Sequence, residues 1–215
     1  MDIQAKWTAA VVDWDGTMVR SQTVYYGSFC EAMKAAALPP PPFRTFCHEV
    51  ARMGILGLYA HYAILDRLSG NEIARIRDRY VEAHWSEIVP RPKLSELFRA
   101  CAYTRTPLIV MSGNEARVIE RKLADWNMSS SVRKIIATDD KRTSLSELIA
   151  AKGETPSSFL FVDDTSRDLT MAKQKGVTVA GFTKGYGSVR EIRETGPHFL
   201  VDSLRGVAKL VKNHE

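Results

Sequence analysis

Cysteine is scarce in this chain of 215 residues, and Cys30, Cys47 and Cys101 are odd in number and follow no metal-ligand spacing. That argues against a disulfide framework and against a cysteine-bound zinc, and leaves them as core thiols. Long apolar runs are missing too. No segment approaches membrane-spanning length, and "MDIQAKWTAA" at 1–10 lacks a basic region followed by a long apolar core, so the expectation is a cytoplasmic protein with no membrane partner. Dense basic runs are also absent. The formal net charge is +5, but Lys and Arg are scattered, which fits mild steering of anions rather than a nucleic-acid footprint. No internal repeat occurs, and the only low-complexity stretch is Pro39–Pro42, read as a rigid connector between helices.

What is present reads as a globular protein, 45% apolar and 26% charged, long enough for one domain with a sizeable insertion. "AAVV" at 9–12 is apolar on both faces, as in a strand buried inside a parallel sheet. Between 20 and 90 the periodicity becomes helical: "YYGSFCEAMKAAAL", "FRTFCHEVARMGILGLYAHYAILDRL" and "NEIARIRDRYVEAHWSEIV" are three helices punctuated by prolines. "RPKLSELFRACAY" predicts another helix. Strands and helices then alternate: "PLIVM" before "EARVIERKLADW", "KIIAT" before "SLSELIAAK", "FLFV" before "DLTMAKQK", and "VTVAGF" before a loop and a last helix near 202–212. The fold class is therefore α/β, a Rossmann-like parallel-sheet core domain made of 1–19 and 91–215, with an inserted helical cap at 20–90.

Parallel α/β sheets bind ligands beyond the carboxyl ends of their strands. Residues just after the predicted strands are Asp13 and Asp15, then Ser112-Gly113-Asn114, then a loop leading to Lys141, then Asp163, Asp164 and Asp168. Clustered acids in a partly dry crevice repel one another unless a divalent cation balances them, and Mg²⁺ suits oxygen ligands of this kind. A cation, an ammonium and a hydroxyl beside a carboxylate are what phosphoryl transfer requires.

These residues carry a resemblance. "DWDGT" resembles motif one of the haloacid dehalogenase superfamily, "MSGN" motif two, Lys141 the motif-three lysine and "VDDTSRD" motif four, in the family's order. The tail "GFTKGYGSVREIRETGPHFLVDSLRGVAKL" is similar to the phosphoglycolate phosphatase-like branch. The insert between motifs one and two matches a C1-type cap in position and length. The resemblance implies a Mg²⁺-dependent phosphatase of a small phosphorylated metabolite, with Asp13 as nucleophile and Asp15 as acid and then base. It implies Asp13, the Asp15 carbonyl and Asp164 as metal ligands, with Asp163 or Asp168 completing or orienting that shell. Ser112 and Lys141 would hold phosphoryl oxygens, with Gly16, Thr17, Gly113 and Asn114 around the phosphate.

Each residue also has a plainer reading. Ser112 or Asn114 serves as a helix cap, Asp164 or Asp168 charges a helix start, and Lys134 rivals Lys141. "EVARMGILGLY" at 49–59 is the candidate for the cap's substrate-facing segment, with Gly54 and Gly57 loosening a helix junction and Arg52 positioned to grip a substrate anion. Two other functions compete: a sugar phosphomutase with the same aspartyl-phosphate, and a phosphoacceptor signalling module. The expected assembly is a monomer or homodimer.

Overall fold

The computed structural model describes residues 7–212; residues 1–6 of the amino-terminal segment read above, and residues 213–215, lie outside them. β1 (Ala9–Val12) runs through a tight turn into β2 (Val19–Arg20). The helices α1 (Gln22–Ala35), α2 (Phe43–His61) and α3 (Gly70–Ala83) follow, and β3 (Val89–Pro90) returns to pair antiparallel with β2. Next come α4 (Leu94–Tyr103), β4 (Leu108–Ser112), α5 (Ala116–Asp125), β5 (Lys134–Ala137) and α6 (Lys141–Lys152). The chain continues with β6 (Phe159–Asp163), α7 (Ser166–Gln174), β7 (Thr178–Phe182), α8 (Val189–Glu194), β8 (Phe199–Val201) and α9 (Leu204–Lys212).

Six strands form one parallel sheet in the order β5-β4-β1-β6-β7-β8. Every residue of β1, β4 and β6 is buried, because strand residues alternate faces and both faces here meet apolar layers. Ala10, Val12, Val110, Leu160 and Val162 join α4, α5 and α9 on one side. Ala9, Val11, Ile109, Phe159 and Phe161 join α6, α7 and α8 on the other. From central β1 the chain winds outward through β4 and β5, then crosses back to β6, β7 and β8. The order reverses at β1, so a crevice opens at the carboxyl ends of β1, β4 and β6.

The three helices between β2 and β3 bury a cluster of their own around Phe29, Phe46, Tyr59 and Ile64. Phe29 lies 5.2 Å from Phe46 and 5.9 Å from Tyr59, ring centre to ring centre. Tyr186, from the loop after β7, also enters this cluster.

Several elements differ from the pattern read in the sequence. α6 begins at Lys141 rather than near 144, because Asp140 Oδ1 accepts from the Thr143 amide at 3.1 Å and caps it. The stretch taken as a loop after β7 holds α8, closed by a reciprocal Ser188 and Glu191 capping box. It also holds β8, the sixth strand. α2 is kinked at Gly54, where φ is 72° and ψ is 171°. Gly57 carries no such break.

Phe161 is fully buried at the middle of β6. Phe161→Ala removes a ring from a close-packed layer and is expected to lower stability by about 3–5 kcal/mol, read from the urea midpoint at unchanged m-value.

Candidate active site

β1 ends by delivering Asp13 to the crevice, its amide donating to the Val162 carbonyl at 2.9 Å. Asp13 is 6% exposed. The ammonium of Lys141, at the first turn of α6, donates to Asp13 Oδ1 at 2.7 Å and to Asp163 Oδ2 at 2.8 Å, and lies 3.0 Å from Asp168 Oδ2. Burial opposes the charge on Lys141, but the three carboxylates outweigh it and hold the ammonium well above its ordinary pKa. Burial pushes the Asp13 carboxyl up, against the pull of Lys141 and with the charges of Asp163 and Asp164 adding to it.

Asp163 is committed to the protein. Its Oδ1 accepts from the Thr165 amide and hydroxyl at 2.9 and 2.8 Å, and its Oδ2 accepts from Lys141. Asp168 is similarly engaged, by Arg167 Nε at 2.7 Å and Nη2 at 3.2 Å. Its burial is outweighed by Lys141 and Arg167, which hold its pKa far below the usual carboxylate range. Thr165 caps α7 by accepting from the Asp168 amide at 3.4 Å, which sets Asp168 in the first turn of that helix.

Asp164 is different. Its Oδ2 accepts from the Tyr186 amide at 2.5 Å, and its Oδ1 is buried with no hydrogen-bond partner. Burial, reinforced by Asp163, raises it to about 7. Glycines make room for it: a Cβ at Gly185 would fall 1.7 Å from Asp164 Oδ2, and one at Gly16, where φ is +85°, 2.2 Å from the same atom. Arg91 ties the two glycine turns together, donating to the Gly16 carbonyl at 2.8 Å and the Lys184 carbonyl at 2.5 Å.

Asp15 stands across from Lys141's cluster. Ser21 donates to its Oδ1 at 2.7 Å, and Asn114 and Ser112 reach its Oδ2 at 3.3 and 3.5 Å. Burial raises Asp15 to about 6, against those hydrogen bonds. Asn114 also donates to the Tyr25 hydroxyl of α1. A cavity of about 270 Å³ opens over these groups. Its floor includes Asp13, Asp15, Ser112, Lys141 and Asp164, and its far wall comes from α2, with Val50, Met53, Gly54, Ile55, Leu56 and Tyr59.

Against this geometry stand the comparisons with known proteins. A model of the haloacid dehalogenase-like hydrolase family matches residues 10–182. The chain belongs to that family. A phosphoglycolate phosphatase of Pseudomonas putida is 25% identical over 208 residues, covering 91% of this chain and 76% of its own length. Among solved structures, a haloacid dehalogenase-like family hydrolase from Streptococcus pneumoniae superposes with a TM-score of 0.76 at 19% identity, covering 95% of this chain and 98% of that one. A predicted phosphoglycolate phosphatase from Haemophilus somnus gives 0.74 at 17% identity with the same coverage. The parallel sheet with helices on both faces is the fold of these hydrolases.

Of the residues singled out in the sequence, Asp13, Asp15, Ser112, Gly113, Asn114, Lys141, Asp164 and Asp168 line one cavity. Asp163 lies directly beneath, fully buried. Lys134 is exposed at the amino end of β5, away from the crevice. Gly16 and Thr17 do not line the cavity: Gly16 backs Asp164, and Thr17 is fully buried with its Oγ1 unpartnered. Arg52 is not brought to the cavity either. It is exposed, because Val50 and Met53 occupy the inward face of α2 and position 52 falls on the outer one. Sequence reasoning missed Tyr25, Arg77 and Arg91, which come from helices or loops with no motif around them, and Tyr186, which lies inside the quoted tail "GFTKGYGS" but was given no role. Arg167 sat unnoticed inside "VDDTSRD".

Lys141→Met leaves Asp13, Asp163 and Asp168 without their shared cation. In chelator-containing buffer at pH 7, urea denaturation should show a loss of about 3–5 kcal/mol. Burial raises the carboxyls of Asp13 and Asp163, and losing the pull of Lys141 raises them further, so the folded variant binds more protons on acidification and the deficit should shrink between pH 7 and pH 5.

Proposed function

We propose that the chain is a Mg²⁺-dependent phosphomonoesterase that transfers the phosphoryl group to Asp13 and then to water. Its core is 1–19 with 91–215, and 20–90 is a helical cap over the site. The observation that carries this reading is the Lys141 ammonium bonded to Asp13 Oδ1, beside a second carboxylate, Asp15, with a pKa near 6. The phosphatase names of the curated relatives support the same reaction class.

The donor set suits Mg²⁺. Lys141 is shared among three acids, and Asp164 Oδ1 is a buried oxygen with no protein donor, while Mg²⁺ takes oxygen ligands and offsets surplus negative charge. Mg²⁺ keeps several waters and binds through one or two carboxylates together with the phosphate. Asp13, Asp164 and the Asp15 carbonyl are the proposed ligands. Asp163 and Asp168, whose oxygens are occupied by Thr165, Arg167 and Lys141, are positioning residues instead. When bound, the ion neutralises charge on the phosphoryl oxygens and on Asp13.

Asp13 attacks phosphorus, forming its own Oδ–P bond as the ester oxygen leaves. Lys141 and Ser112 bind phosphoryl oxygens through the ammonium and hydroxyl. Asp15, held by Ser21, gives its proton to the departing alkoxide, then takes one from the water that hydrolyses the aspartyl-phosphate. A pKa near 6 fits both tasks near neutral pH.

Purified protein should release phosphate from nitrophenyl phosphate with Mg²⁺ present, lose that activity on exhaustive chelation, and show no turnover as Asp13→Asn with an unchanged melting profile. Full activity after chelation removes the metal from the reading, and retained turnover in the variant removes Asp13. A second test isolates Asp15. Nitrophenolate leaves without a proton, so Asp15→Asn should give a burst near one equivalent from nitrophenyl phosphate and then slow hydrolysis, but almost no burst from an alkyl phosphate. Equal slowing of both esters with no phosphorylated protein by mass would make Asp15 a structural residue.

A further inference from the structure

The phosphate end of the cavity is polar, but the end that must hold the rest of the ester is not. Phe46, Val50, Met53, Ile55 and Tyr59 form that wall, with Leu56 at its mouth, 56% exposed. Three cations line the cavity, and each is already matched by carboxylates. Lys141 contacts three of them. Arg77 pairs with Asp78 at 2.8 Å and Glu115 at 2.7 Å. Arg167 grips Asp168 through two nitrogens. The lining also includes Asp139, whose carboxylate adds negative charge. Arg52, the sequence's candidate for a second anion, faces solvent.

A carboxylate on the ester, besides its phosphate, would therefore enter a wall that, among the described residues, offers no unpaired cation, and would be desolvated against Met53 and Ile55 without a counter-charge. An uncharged hydrocarbon group there loses nothing and gains burial. Resting on the phosphatase reading above, we infer that this enzyme is selective for phosphomonoesters of uncharged, apolar alcohols and discriminates against esters carrying a second anion, phosphoglycolate included. The α2 segment around the Gly54 kink sets that preference, since the kink turns Met53, Ile55 and Leu56 toward the site.

Isobutyl phosphate and phosphoglycolate make a close test, being nearly the same shape with an isopropyl group in place of a carboxylate. With Mg²⁺ supplied, kcat/KM should be at least about tenfold higher for isobutyl phosphate, and should climb about fourfold per added methylene from methyl to butyl phosphate. Met53→Ala and Ile55→Ala should each lower the isobutyl-to-methyl ratio by about tenfold. Nitrophenyl phosphate reports on the phosphatase reading itself. If it is hydrolysed but phosphoglycolate equals or exceeds isobutyl phosphate, or the alkyl series is flat, or neither variant moves the ratio, the selectivity inference falls and the phosphatase stands. If no ester is hydrolysed, both fall.

Discussion

One buried ammonium organises this molecule. Lys141 reaches Asp13 at the end of β1, Asp163 at the end of β6 and Asp168 at the start of α7, all within 3.0 Å. Taking an ammonium out of water costs several kcal/mol, and only close, multiple carboxylate contacts offset it. The rest of the active edge is therefore held to tight tolerances. α6 has to begin at 141, which the Asp140 cap secures. α7 has to begin where Asp168 faces the crevice, which Thr165 secures from the other side. β1 and its neighbour β6 converge on this one charge, at the edge where the sheet order reverses.

The same edge is crowded around a second centre, the Asp164 carboxylate. Two turns far apart in sequence, at Gly16 and Gly185, close on it so tightly that neither has room for a Cβ. A buried carboxylate of this kind normally has every oxygen matched by a donor. Here one oxygen is matched by the Tyr186 amide and the other has none. The two glycine turns, tied together by Arg91, close on this carboxylate from its Oδ2 side and leave Oδ1 as the unmatched atom.

Much of this was legible because period and chemistry agree. β1, β4 and β6 read as strands since both faces are apolar, and the charged residues directly after them mark the crevice edge. The acids, Ser112 and Lys141 follow strands in a fixed order, so topology alone gathers them. What escaped depends on three-dimensional approach. Arg77 on α3 and Tyr25 on α1 reach the cavity only because the helical insert folds over it, and nothing local marks them. Arg52 misled because its neighbours Val50 and Met53 took the inward face. α8 and β8 were hidden by brevity: six and three residues carry too little periodicity to register. The capping signal from Ser188 to Glu191 was present all the same.

The insert and the acid-lined edge come closest at Gly54. Gly54 breaks α2 with a positive φ, and a Cβ there would lie 2.3 Å from Arg167 Nη1. Arg167 in turn braces Asp168, Asp168 contacts Lys141, and Lys141 holds Asp13. The kink thus satisfies two demands with one residue. It turns the apolar segment Met53–Leu56 toward the cavity, and it lets the backbone of α2 approach the guanidinium that holds Asp168. A side chain at 54 would strain the positive φ and push α2 away from Arg167, so the apolar wall and the charged floor keep their spacing through the same few ångströms of contact.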